Sequence, residues 1–215
     1  MAVCAAVARH WKGTDMDMLL DLWLPIVITA VVCFFASSII WMALPHHKAD
    51  MKVLPDEGVM DRALEEMKLE PGGYYIPNCS DKEKFKGEAF KNRWNNGPWA
   101  FLQIPAGRPS FAKNLAVTFI EFLVIAVFIG YLAGASIPAG AEYLHVFQVV
   151  GAAGVLAHVL GTIHHEFFQM KTARHVVFCM FDGVVYALLT AGIFAAFWPE
   201  GAEIINTGAG TLPTP

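Results

Sequence analysis

The chain has 215 residues, 56% of them hydrophobic and only 16% charged, with a net charge of −4. An ordinary soluble domain is about a quarter charged, so the composition excludes that class, and the acidic balance argues against a nucleic-acid-binding surface. Four cysteines, Cys4, Cys33, Cys79 and Cys179, show no Cys-x-x-Cys spacing, which removes a zinc module or a disulfide framework.

Residues 1–21 form an N-terminal extension holding Arg9, His10, Lys12, Asp15 and Asp17. It lacks the basic-then-apolar order of a signal peptide, and Met16 and Met18 are alternative starts to Met1. The apolar run 22–44 is long enough to cross a bilayer. It is expected to be the first transmembrane helix, with Trp23 and Trp41 placed as in interfacial aromatic belts. Between 45 and 113 the composition changes: eleven of the fifteen Lys and Arg residues lie there. Val59, Ala63, Leu64 and Met67 recur at helical spacing, predicting a short amphipathic helix over Pro55 to Met67. Pro71-Gly72-Gly73 ends it, and Tyr74-Tyr75-Ile76 reads as a strand. Ser80 with Glu83 reads as a capping box opening a basic helix that runs to about Trp94. A turn at Asn95-Asn96-Gly97-Pro98 leads into a second strand, Trp99 to Ile104. Such an αβαβ insertion is too small to be stable alone and is expected to lean on the membrane or a partner.

Three more apolar runs follow, at 114–132, 143–165 and 176–197, and the tail 200–215 is Gly, Thr and Pro rich, as disordered segments are. The predicted fold is therefore an all-α membrane protein, a four-span helical bundle with a small α+β cytoplasmic insertion between spans one and two. Near the membrane, Lys48, Lys52, Arg62, Arg108, Lys113, Lys171 and Arg174 on one side outnumber Arg9 and Lys12 on the other. The positive-inside rule then sets loop 45–113 in the cytoplasm and both termini in the periplasm.

The hairpin of spans three and four carries the densest chemistry. At 3.6 residues per turn, Gly151, Gly154, His158, Gly161 and His165 form one seam, and His175, Cys179, Asp182, Tyr186 and Thr190 another. Counted inward from His165, His175 and Lys113, the residues His158, Asp182 and Glu121 fall about 10–12 Å inside one boundary at ~1.5 Å per residue. An ionisable group in hydrocarbon needs a partner, so His158 and Asp182 are expected to make a structural intramembrane pair, with Glu121 and Tyr186 nearby. The same layer would also suit proton transfer, quinone binding or a substrate path.

His46, His47, His164, His165 and His175 gather at the cytoplasmic edge. His46, His47 and His164 are the metal-ligand candidates, and His158, His165, His175 and Asp182 the cofactor candidates. No Glu-x-x-His, His-Glu-x-x-His or Cys-x-x-Cys-His motif supports them. The separation of His158 from His165, ~10 Å, is too long for one metal. The expectation is therefore interfacial histidines and no bound cofactor, with haem or a metal as the alternative. Cys79, ahead of a helix, reads as a packed thiol, since no nucleophile motif such as Gly-x-Ser-x-Gly surrounds it. The run Lys82, Lys84, Lys86, Lys91, Arg93, interleaved with acids, reads as a solvated face.

Trp41-Met42-Ala43-Leu44-Pro45-His46-His47, Gly72-Gly73-Tyr74-Tyr75-Ile76-Pro77, Gly97-Pro98 and the run Phe181-Asp182-Gly183-Val184-Val185-Tyr186-Ala187-Leu188 through Gly192, closing on Trp198-Pro199, form a recognisable set. Together they resemble a family of small, uncharacterised bacterial integral membrane proteins, over about Leu24 to Pro199. The resemblance implies four spans and a later start than Met1, and brings no activity, cofactor or catalytic residue with it. On these grounds the expected function is a non-catalytic accessory or structural subunit of a larger bacterial inner-membrane complex, such as an energy-transducing one, respiratory or photosynthetic, whose partners are lipid and other integral membrane subunits. The alternative is a redox membrane protein binding haem, metal or quinone through intramembrane and interfacial His and Asp residues. A proton-coupled transporter is weaker, since four spans without a repeat make a poor translocation path.

Overall fold

The computed structural model describes residues 15–200. The expectations for a free tail and for most of the N-terminal extension lie outside the described residues. A short helix α1 (Asp15–Asp21) runs into the first span, α2 (Trp23–Met42), and Pro45–His47 then form one 3-10 turn. The insertion comprises α3 (Glu57–Met67), β1 (Gly72–Ile76), α4 (Lys82–Lys86), α5 (Glu88–Asn96) and β2 (Ala100–Ile104). The second span is α6 (Phe111–Ser136). The third, Tyr143–Phe168, consists of α7 (Tyr143–Val155), a π-helical segment Leu156–Leu160 and α8 (Ile163–Phe168). The fourth is α9 (Ala173–Ala196).

All four spans are long and apolar enough to cross a membrane, and only 22–39% of each most-apolar stretch is buried inside the protein. The remaining apolar surface faces outward, where lipid or another apolar surface satisfies it. Side-chain oxygens cap the helix starts that proline and glycine leave open. Asp56 accepts from the Val59 N–H, Asp81 from Glu83 and Lys84, Ser110 from Lys113, and Thr172 from His175. The cap of the basic helix is thus Asp81, one residue beyond the expected Ser80, and Gly87 divides that helix into α4 and α5. The two strands pair antiparallel in the register Gly72↔Ile104, Tyr74↔Leu102, Ile76↔Ala100. Tyr75 Oη donates to the Phe168 carbonyl at 2.8 Å, fixing the hairpin to the turn between spans three and four.

Spans three and four meet through backbone. A Cβ added to Gly154 would lie 2.9 Å from the Ala187 Cα, and one added to Gly183 would lie 2.5 Å from the His158 carbonyl oxygen. Small residues permit this approach. The seam Gly151, Gly154, His158 therefore faces the fourth span as expected, but the surface it meets is Ala191, Ala187 and Gly183. The polar seam of α9 looks elsewhere. Thr190 and the Tyr186 carbonyl both lie 3.8 Å from the Cys33 thiol of α2. The far end of the bundle is closed by Trp198, whose indole donates to the Pro138 carbonyl, and by Gly140, whose N–H donates to Pro199.

Candidate metal centre at one end of the bundle

Beyond α2, Leu44 is extended and Pro45 opens a 3-10 turn that folds the chain back over the bundle end. This inserts two consecutive imidazoles against α9. His47, only 5% exposed, lies flat on the Trp41 indole with ring centroids 3.9 Å apart and an interplanar angle of 4°. Its Nε2 is 2.7 Å from Asp182 Oδ2, and His46 Nε2 is 3.3 Å from Asp182 Oδ1. Asp182 is 2% exposed, so both oxygens of a buried carboxylate are taken by imidazoles from the segment after the first span.

Behind this trio stands Asp50. Its Oδ2 lies 2.7 Å from His47 Nδ1 and 3.0 Å from His175 Nδ1, and its Oδ1 accepts from Arg174 at 2.8 Å. Burial alone would raise the Asp50 carboxyl, but hydrogen bonds from His47 and His175 and the charges of His175 and Arg174 outweigh it and hold the group below its ordinary value. Arg174 also donates to the His46 carbonyl at 2.7 Å and stacks over Phe178, 4.7 Å from its ring centre. His175 Nε2 faces Glu166 Oε2 at 3.3 Å and the Cys179 thiol at 3.4 Å.

Two overlapping sets of three ligand atoms result, His46/His47/Asp182 and His47/Asp50/His175, each with its atoms within 4.8 Å of one another. A neutral imidazole carries one N–H and an imidazolium two, and His47 stands between two carboxylates, Asp50 at Nδ1 and Asp182 at Nε2. An imidazolium would donate to both, whereas a neutral ring donating Nδ1–H to Asp50 would turn its Nε2 lone pair to Asp182, where the two could share a cation. A carboxylate holding the far nitrogen of a metal-ligating histidine is the usual outer support of such sites, and Asp50, anchored by Arg174 and His175, would give His47 that support beside His46 and Asp182. The imidazole rings of His46 and His47 lie 4.4 Å apart at 45°. That leaves no slot for a porphyrin between these two rings.

Several expectations need correction. Asp182 is bonded to His46 and His47 and not to His158. His158 and Asp182 do lie at one level, since the His158 backbone packs on Gly183, next to Asp182. That same backbone contact turns the His158 side chain aside, towards the Phe122 and Tyr186 rings, each with its centroid 5.8 Å away. His164 and His165 are exposed and stand outside the cluster, His165 pairing with Gln169. His46, His47, His175 and Asp182 do come together. Glu121 and Tyr186 line a separate cavity with His158. Asp50 and Glu166 escaped sequence reading. The available signal for Asp50 was its place three residues after His47, one turn on.

Comparison with protein-family models, with curated proteins and with solved structures found no match to this chain.

Proposed function

We propose that the protein is a multi-pass metalloprotein that holds a divalent first-row transition-metal ion through His46 Nε2, His47 Nε2 and Asp182. One observation carries the reading: two imidazoles and a carboxylate converge in a buried position while a second carboxylate, Asp50, holds the far nitrogen of His47. Two histidines and one carboxylate on one face of an ion leave its other positions open, the arrangement suited to iron redox chemistry or to a zinc-bound water. His46, with its side chain 18% exposed, marks the side from which a further ligand would arrive. The test is metal analysis of protein purified in mild detergent, followed by cobalt reconstitution. About one ion per chain and cobalt visible bands lost in Asp182→Ala are expected. Asp50→Asn, which alters only the support, should weaken binding roughly 10–100-fold. Metal content no higher than in the Asp182→Ala variant, in both native and reconstituted protein, would overturn the proposal.

A second observation favours service within a larger assembly of the bacterial inner membrane. Between residues 51 and 110 only Pro77 is buried, while Phe85, Trp94 and Trp99 are each more than half exposed. An insertion without a core of its own needs a covering surface. Gentle purification should bring other integral subunits with it, and a monodisperse single-chain particle would count against this role. The charge asymmetry of the loops supports a cytoplasmic insertion and periplasmic termini.

A further inference from the structure

Tyr186 is 8% exposed, and its buried hydroxyl makes no hydrogen bond of good geometry, with Ser37 and Trp41 as its polar neighbours. A hydroxyl so poorly served in hydrocarbon gains from a better-placed acceptor. This one borders a cavity of about 380 Å³, within the range of small-ligand sites. All four spans line it: Ser37 and Trp41 from the first, Glu121 and Phe122 from the second, His158 from the third and Tyr186 from the fourth. Rings from all four spans form part of its walls. Phe122 meets Tyr186 edge-on with centroids 5.2 Å apart, and His158 meets Tyr186 edge-on at 5.8 Å. Polar groups come from several walls, and none of the lining residues is a lysine or arginine, so no cation is there to receive a phosphate headgroup. Met42 and Phe111, the last residue of the first span and the first of the second, line it and are 60% and 66% exposed, an apolar border at which a membrane-dissolved carrier would enter.

Aromatic walls select a planar ring, a poorly served donor selects an acceptor oxygen, and a lipid-side entrance selects an apolar carrier. We propose that this cavity binds the head group of a membrane-dissolved quinone, with a ring carbonyl accepting a hydrogen bond from Tyr186 Oη–H. The site is separate from the metal centre, and Trp41 stands between them, lining the cavity and stacking on His47.

The experiment is a titration of metal-stripped protein in lipid nanodiscs with a short-chain benzoquinone, read by quenching of tryptophan fluorescence against empty nanodiscs. Because the metal has been removed, failure here leaves the metal proposal standing, and the converse also holds. One saturable site per chain is expected, weakened about tenfold in Tyr186→Phe, the loss that goes with one buried hydrogen bond. Ala157→Phe, which fills the cavity without altering its polar groups, should abolish saturation. Displacement by a second benzoquinone but not by a saturated fatty alcohol supports the quinoid class. Quenching that never saturates, an unchanged affinity in Tyr186→Phe, saturation persisting in Ala157→Phe, or displacement by the fatty alcohol would each overturn it.

Discussion

Asp182 draws its partners from outside its own hairpin, so its effect on stability travels through the first span. In metal-free protein both its oxygens face imidazole nitrogens of His46 and His47. Asp182→Leu strands those groups in the apolar end of the bundle and should cost about 0.6–2 kcal/mol, the range for interhelical hydrogen bonds in membranes. A thermal-unfolding cycle with chelator present should show that Asp182→Leu and His47→Leu together cost less than their sum, since neither leaves an orphan once both are gone. The same cycle with His158→Leu should be additive. Coupling to His158 and additivity with His47 would mean that the carboxylate is held differently in the membrane. Tyr186→Phe makes the opposite test. Removing a hydroxyl that makes no hydrogen bond of good geometry should leave the melting temperature nearly unchanged or raise it, and a clear fall would show that Ser37 or Trp41 holds it in the empty protein.

At the scale of elements, α9 works as a two-faced strut. Gly183, Ala187 and Ala191 let the third span approach to backbone contact, while Asp182, Tyr186 and Thr190 turn to α2 and the segment beyond it. Gly183→Ala would drive a methyl into the His158 carbonyl, an atom that cannot rotate away, and should destabilise by about 1–3 kcal/mol as overpacking does. Gly192→Ala, whose added Cβ would meet nothing nearer than the Tyr143 hydroxyl at 3.9 Å, should be tolerated. Melting temperatures in detergent decide it, and equal effects at the two glycines would contradict the packing described. The same strut explains what could be read beforehand. Period and length disclosed the four spans, because membrane helices are written in hydrophobicity alone. Period also grouped Asp182 with Tyr186 and Thr190, but it does not say which neighbour a face meets. The π-helical segment at Leu156–Leu160 carries no strong local signal, and it governs where His158 sits. Asp50 lies in a connection without periodicity, where only the folded-back 3-10 turn gives it meaning.

For the molecule as a whole, the His/Asp cluster, the insertion and the turn between spans three and four all lie at one end. Tyr75 Oη reaches the Phe168 carbonyl there, and Arg174 reaches Asp50. The opposite end is a plain apolar closure around Trp198, Pro138 and Pro199. The side of the membrane on which the cluster faces therefore follows from where the insertion resides. Seven basic residues belong to the loops and helix ends there, Lys48, Lys52, Arg62, Arg108, Lys113, Lys171 and Arg174, while the described residues of the opposite end carry no Lys or Arg. An excess of this size within short reach of the spans retains a loop on the cytoplasmic side. In a cysteine-free background expressed in intact cells, Lys86→Cys should resist a membrane-impermeant maleimide until the membrane is opened. Glu142→Cys, exposed beside the turn between spans two and three at the plain end, should react at once. The reverse pattern would invert the molecule and place the His/Asp cluster on the periplasmic side, so that any ion it holds would come from outside the cell instead of from the cytoplasm.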